Sequence, residues 1–394
     1  MGKFFWFLLI LLVFLAIFIG EAGDFVLPLL YLLLGAFIFG RFWSGRVLQR
    51  LQIKRDFVSH AFLGEQIPVK IQVANSEWLP IIWLRLRESL PIELAPADTL
   101  HQVITLGVKG KADFLYKLDC RRRGYYPLGP LSLYTGDVIG LSNPVRVYGP
   151  EYLTVYPKII SLAKVDLVSH SPMGTLRHIQ PIFEDPSRVL GKRDYVAGDS
   201  LRRIDWKTTA ITNRLQVKIF EPSIALETAI FLNQNIQEFD RRTGHDDTEL
   251  GIIIAASLAN YIVGLRQSVG LYTNGKDPLH DSETALPPRH GRGHLLRLLE
   301  ILARLQAGVA EPLVQLIYRQ SVHLSWGTTV VIITNHVDDE LFDGLFQMRR
   351  RGMDSLLLLC GPVARYSEIR HKASYFGFPL YQFHSEQDLK IWRV

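Results

Sequence analysis

Two apolar runs open the chain, Phe4 to Ile19 and Phe25 to Phe39, with Gly20-Glu21-Ala22-Gly23-Asp24 between them. Each run is about 15–16 residues, or roughly 23 Å of helix, slightly short of a hydrocarbon core. A cleaved signal peptide gives way to polar chain after a small-residue cleavage site, whereas here a second apolar run follows almost at once. The pattern predicts a two-helix transmembrane hairpin over residues 1–45. Lys3 precedes the first run, Glu21 and Asp24 lie in the turn, and Arg41, Arg46, Arg50, Lys54 and Arg55 follow the second. The positive-inside rule then gives a two-pass protein of a bacterial inner membrane with both termini cytoplasmic. Trp6 and Trp43 fall where aromatic rings favour the headgroup layer. Two buried core helices are the rival arrangement, and they leave the charge asymmetry without a cause.

Past Leu51 the hydrophobic period becomes two. Val69 to Val73, Ile82 to Arg87, Val103 to Leu106 and Phe114 to Leu118 alternate apolar and polar positions, as half-buried strands do. Turn residues separate these runs at roughly 10–15 residue intervals, which predicts an antiparallel, immunoglobulin-like β-sandwich over residues 46–160. A connecting segment spans 161–225. From 226 to 394, short apolar runs alternate with helical patterns. Strands are expected at Ala229–Leu232, Val269–Tyr272, Val330–Ile333 and Leu356–Leu359, and helices at Glu249–Leu265, His294–Leu305 and Asp339–Arg350. Such alternation predicts a mostly parallel sheet covered on both faces.

Composition changes this picture little. Of 394 residues, 48% are hydrophobic and 21% charged, which suits a folded chain and excludes a largely disordered one. The net charge of +6 is nearly accounted for by the basic cluster after the second apolar run. Membrane lipid is therefore the expected anionic partner, and no nucleic acid is expected. Cys120 and Cys360 stand in no metal-binding spacing and read as small buried hydrophobes. Arg121-Arg122-Arg123-Gly124-Tyr125-Tyr126 mixes cations and aromatics, as a single-strand nucleic-acid platform would. Its position at a strand end before Pro127-Leu128-Gly129-Pro130 favours a structural role.

The densest motif lies between the two folded regions. It runs Arg193-Asp194-Tyr195-Val196-Ala197-Gly198-Asp199-Ser200-Leu201-Arg202-Arg203-Ile204-Asp205-Trp206-Lys207-Thr208-Thr209-Ala210, then on to Leu215-Gln216-Val217-Lys218. This closely resembles the signature of the domain of unknown function 58 family. Gly136 to Leu141 and Pro288 to Leu299 resemble the same family. The resemblance implies a C-terminal fold like the von Willebrand factor A domain, a partner of the MoxR-type AAA+ ATPase class, and in some cases a membrane transglutaminase-like protein. Read physically, Asp199 suits the N-cap of a short helix starting at Ser200, with Gly198 easing the approach. Arg202, Arg203, Asp205 and Lys207 can pair with each other or with a neighbour, and Trp206 can anchor them. The segment either locks two domains together or presents a docking face made of Asp199, Arg202, Arg203, Asp205, Trp206 and Lys207.

Von Willebrand A folds carry D-x-S-x-S after their first strand, whose hard oxygens hold a magnesium-type ion. The corresponding stretch is Asn233-Gln234-Asn235, and the later acidic position is Asn335. With carboxylate and hydroxyls gone, the adhesion-type metal site is expected to be absent, and no cofactor is expected. His245, Asp246, Asp247 and Glu249 could be drawn as ligands, but Asp246 and Glu249 have capping-box spacing. His336, Asp338 and Asp339 likewise precede a helix. The chain has no G-x-x-x-x-G-K-[ST], G-x-S-x-G or H-E-x-x-H. The expectation is a non-enzymatic, membrane-anchored adaptor for a protein partner that assists assembly or maturation of an envelope or protein complex. The alternative is a hydrolase-like enzyme using Asp199, Asp205 and Lys207.

Overall fold

A computed structural model describes residue 10 and residues 13–14, 23–94, 101–136, 143–162, 184–196, 199–222, 227–279 and 284–392. It divides into two units, Met1–Lys158 with Leu302–Arg304, and Ile159–Ile301 with Leu305–Val394.

The first unit begins with helix α1 (Gly23–Arg50). Among the described residues no helix is long and apolar enough to cross a membrane, which overturns the two-pass hairpin and the inner-membrane placement. Of the first apolar run only Ile10, Val13 and Phe14 are described, and Gly20 to Ala22 of the turn also lie outside the described residues. The last turns of α1 belong to a protein core. Val47 and Leu48 are buried, and Trp43, expected at headgroup level, packs on that core and donates from Nε1 to Pro80 O at 3.0 Å. The basic cluster is spent the same way. Arg50 and Arg46 reach Glu77 at 2.9 and 3.8 Å, and Arg55 reaches Glu88 at 2.6 Å. Arg146 donates to the carbonyls of Leu48, Gln49 and Leu51, satisfying acceptors that the end of α1 leaves open. Further up the helix Tyr31, Leu32, Ile38, Phe39 and Phe42 are exposed.

The strands of this unit are β1 (Leu51–Asp56), β2 (His60–Phe62), β3 (Gln66–Asn75), β4 (Ile81–Glu88), β5 (His101–Leu106), β6 (Lys111–Asp119), β7 (Gly124–Leu128), β8 (Leu131–Thr135), β9 (Val145–Tyr148) and β10 (Glu151–Tyr156). They form sheets ordered β1-β3-β6, β5-β4-β8-β9 and β2-β10-β7, the last mixed because β2 and β10 run parallel. The immunoglobulin-like expectation is corrected to three sheets. The reason is the length of β3 and β6, which serve two cores. Ile71, Val73 and Phe114 pack with Leu84, Leu86 and Leu133, while Ile67, Val69 and Leu118 pack with Leu128, Leu153 and Val155. Between these layers Arg55 and Glu88 are sealed, their side chains 3% and 0% exposed. Tyr116 donates to Glu88 Oε2 at 2.7 Å, and Arg55 donates to Leu128 O at 3.1 Å. Burial pushes the Glu88 carboxyl upward, against the downward pull of Tyr116 and Arg55.

The second unit starts with a β-ribbon arm, β11 (Glu184–Asp194) and β12 (Gln216–Pro222), whose tip carries a 3-10 turn at Leu201–Arg203 and helix α2 (Trp206–Thr212). A layered domain follows: β13 (Glu227–Leu232), α3 (Gly244–Gly264), β14 (Ser268–Thr273), β15 (Thr284–Arg289), α4 (Arg292–Arg304), α5 (Leu313–Ser321), β16 (Thr329–Thr334), α6 (Asp339–Arg350), β17 (Asp354–Cys360), α7 (Tyr366–Phe376), β18 (Leu380–Phe383) and α8 (Glu386–Ile391). The sheet order is β15-β14-β13-β16-β17-β18, parallel except at β15. Fully buried strands such as β16 read as continuous apolar runs for this reason. On one face α3 approaches closely at Gly251, where a Cβ would stand 3.2 Å from Leu232 Cδ1 and 3.5 Å from Ile333 Cγ2. On the other, Leu316 and Ile317 of α5 and Leu341 and Leu345 of α6 cover Phe231, Val330 and Ile332. The description the structure supports is a doubly wound α/β layer, coarser than the von Willebrand factor A fold expected.

Candidate functional site

The arm holds the whole sequence signature, and its tip is built by residues far apart along the motif. Tyr195 N donates to Leu215 O and Asp205 N to Gln216 O, tying both ends of the tip insertion to the ribbon. Ile204 bridges Val217, and among the described residues of the arm these two apolar side chains are the buried ones. Asp205 is the N-cap of α2. Its Oδ1 accepts from Lys207 N and Thr208 N at 3.2 and 3.3 Å, and its Oδ2 meets Lys192 Nζ at 2.8 Å. Asn213, in the left-handed conformation, closes the other end of α2. Asp199 accepts both guanidinium arms of Arg193 at 2.7 Å and Val196 N at 3.0 Å. The hydrogen bond from Lys192 holds the Asp205 carboxyl down at about 2, and the Arg193 hydrogen bonds lower that of Asp199.

This differs from the pairing expected within the motif. Asp199 does not cap the turn at Ser200; it clamps Arg193. Asp205 pairs across the ribbon with Lys192 rather than with Arg202 or Arg203. Gly198 lies outside the described residues. Trp206 does not anchor the cluster, for it is 68% exposed. Leu201 and Ile211 are exposed to 68% and 77%, and Val189, Val196, Leu215 and Ile219 also face outward. Gly191, paired with Ile219, contributes no side chain, and a Cβ there would meet nothing within 4 Å. Arg202, Lys207, Arg214 and Lys218 take no carboxylate partner among the described residues, whereas Arg203 lowers Asp199 through its charge. Among the described residues the arm thus exposes apolar and cationic side chains, with Asp199 and Asp205 engaged by its own cations and Asp194 exposed.

At the carboxyl ends of β13, β14 and β16 lies a second polar cluster, at the switch point where doubly wound sheets hold ligands. Asn233 Nδ2 donates to Glu238 Oε2 at 2.7 Å and to Thr334 Oγ1 at 3.0 Å. Asn235 Nδ2 donates to Glu238 Oε1 at 3.1 Å, and Asn274 Nδ2 to Asn233 Oδ1 at 3.0 Å. Asn335 Nδ2 donates to Asp247 Oδ2 at 2.9 Å and to Cys360 O at 2.6 Å. Asn233 and Asn235 therefore turn N–H groups, not oxygens, toward the Glu238 carboxylate, and Asn335 does the same toward that of Asp247. That donor set does not fit a divalent ion, and no chemistry is routed through one. Among the described residues no group of three or more His, Cys, Asp or Glu is gathered as metal ligands.

Other candidates resolve into structure. Asp247 is buried, accepts from Thr243 Oγ1 at 2.8 Å, and burial raises its carboxyl. Thr243, not Asp246, stands at the cap of α3, so the expected capping box is not formed. Asp338 caps α6 through Leu341 N at 2.8 Å. Tyr125 stacks on Tyr152 at 4.7 Å, and Tyr126 donates to the Arg122 and Arg123 carbonyls. Burial raises both thiols, that of Cys120 to about 11, as suits packing residues. Sequence reading missed Lys192 and Asn274, because each reaches its partner across the fold, and Glu238, because it carries no motif.

The architecture is a doubly wound layer bearing a signature arm, in a chain that also carries a separate β unit. Residues 191–346 match the sequence profile of the family described as protein of unknown function DUF58. "Uncharacterized protein YeaD" of Bacillus subtilis (strain 168) is 25% identical over 256 residues, 64% of this chain and 61% of that protein. The chain thus spans about three-fifths of the length of this curated relative. Among solved structures, the CARDB domain of PF1109 from Pyrococcus furiosus covers 27% of this chain and 86% of its own, at 12% identity and a TM-score of 0.20. The C-terminal domain of wzt covers 28% of this chain and 75% of its own, at 13% identity and 0.20. Likeness at that level carries no argument about fold or function.

Proposed function

We propose that this chain is a non-catalytic docking protein that engages a protein partner through the tip of the arm. The observation that carries the reading is the exposure of Trp206, Leu201 and Ile211 on a tip whose carboxylates Asp199 and Asp205 are internally engaged. Large aromatic and aliphatic side chains left in water, rimmed by charge, are what interface anchors look like before binding. The family resemblance points to a MoxR-type AAA+ ATPase as the partner, in assembly or maturation of a protein complex. The hydrolase alternative is not favoured. Asp199 and Asp205 are both engaged in hydrogen bonds and held below the ordinary carboxylate range, so neither is poised to take a proton near neutrality.

The test is calorimetric titration of the full chain with a purified MoxR-type ATPase. Trp206→Ala is expected to weaken association by about 2 kcal/mol, roughly 30-fold, with the melting temperature unchanged, because the ring is exposed. Unaltered affinity in Trp206→Ala and in Ile211→Ala would remove the arm from the interface.

A further inference from the structure

We infer that the surface this arm recognises is acidic and apolar together, such as a partner helix with leucine-type side chains on one face and carboxylates beside them. The inference rests on the arm being the docking element and goes on to name what it docks. It starts from how the signature spends its charges. The sequence shows acids and bases interleaved, which suggests a neutral face. In the fold, Asp199 is consumed by Arg193 and Asp205 by Lys192, while Asp194 accepts from Gln216 Nε2. Asp199 and Asp205 are neutralised from the ribbon side, Asp194 stays exposed with only a neutral amide as partner, and Arg202, Lys207, Arg214 and Lys218 take no carboxylate partner among the described residues. Arg202, Lys207 and Arg214 are exposed, interleaved in sequence with exposed Leu201, Trp206, Ile211 and Leu215.

Two physical consequences follow. Cations flanking exposed apolar groups favour carboxylates at the rim of the partner's apolar patch, which gives register and faster encounter. A basic partner surface would be repelled at every apolar contact. Lys192 and Arg193 act differently from the outward cations. They are positioning residues that keep Asp205 and Asp199 from facing the partner. Loss of positive charge at Lys192 therefore weakens binding of an acidic surface by freeing a negative charge as well as by removing a cation.

The experiment uses the full chain and three fluorescent probes: an amphipathic helical peptide with glutamate and leucine faces, its lysine and leucine counterpart, and a short single-stranded DNA. Anisotropy is read between about 0.1 M and about 1 M salt. The glutamate peptide is expected to bind most tightly, and the triple variant Arg202→Glu, Lys207→Glu, Arg214→Glu to lose about tenfold or more at the lower salt, with a flattened salt dependence. Trp206→Ala should weaken the same probe at both salts with its salt slope kept, and Arg202→Lys with Arg214→Lys should retain binding. If the triple variant binds the glutamate peptide as tightly as the natural chain while Trp206→Ala does not, the acidic partner is wrong and the docking arm stands. Failure of Trp206→Ala to change binding of any probe overturns the docking reading itself. Equal or tighter binding of the lysine peptide or the DNA overturns the inference in favour of an anionic or nucleic-acid surface role.

Discussion

Asp205 shows how a side chain's structural role can escape the sequence. The motif reads as placing it among nearby charges, with the cap at Asp199, whereas Asp205 caps α2 and its cation comes from Lys192 of β11. Spacing along a chain reveals partners three or four positions away; it cannot reveal a partner thirteen residues off, placed there only by ribbon pairing. The consequence is a pH dependence of defined sign. The folded carboxyl of Asp205 lies at about 2, below the roughly 3.9 of an unfolded aspartate, and Asp199 is lowered as well. Groups depressed on folding stabilise the fold above the unfolded value and lose that contribution as pH falls through the folded one. The protection factors of the Lys207 and Thr208 amides, each rate taken relative to its intrinsic value at that pH, should therefore fall, as the tip frays, between about pH 4 and about pH 2. Protection factors that stay flat across that window would mean that the two acids do not hold the tip.

At the scale of elements, what could be read from the sequence follows burial. Strands buried on both faces and strands half buried both announce themselves, so β3, β4, β6, β13, β14, β16 and β17 were legible, as was α6 over Asp339–Arg350. The ribbon strands β11 and β12 were not, because an arm with two apolar residues buried leaves no regular period. Helix α1 misled for a related reason. The basic residues at its end and in β1 look like a topology signal, yet Arg46 and Arg50 answer Glu77 and Arg55 answers Glu88, acids in strands and turns some tens of residues away. The sealed Arg55–Glu88 pair gives the test at this scale. Glu88→Ala leaves a buried guanidinium with only the half-exposed Glu151, 3.4 Å away, as counter-charge, and should destabilise the β unit by about 3 kcal/mol, read as a large fall in its melting midpoint. Glu88→Gln, which keeps the Tyr116 acceptor, should cost less. A midpoint unmoved by Glu88→Ala would place that pair outside the unit's core.

Over the whole molecule, the division of labour is between a β unit fastened by buried ion pairs, an α/β layer whose strand ends are closed by its own amides, and an arm that leaves its anchors in water. The second of these bears on function as much as the third. Asn233 and Asn235 donate to Glu238, so the switch-point mouth is already occupied by a side chain of the chain itself. The loss of D-x-S-x-S was visible in the sequence, but the carboxylate that the amides turn toward was not, since Glu238 carries no motif. The proposed docking role therefore falls to the arm rather than to the sheet edge. Hydrogen–deuterium exchange of the full chain with and without a MoxR-type AAA+ ATPase tests that assignment most directly. Protection confined to residues 195–219, with the loops around Asn233 and Asn335 unchanged, is the predicted result. Protection at those loops with the arm unaffected would contradict it.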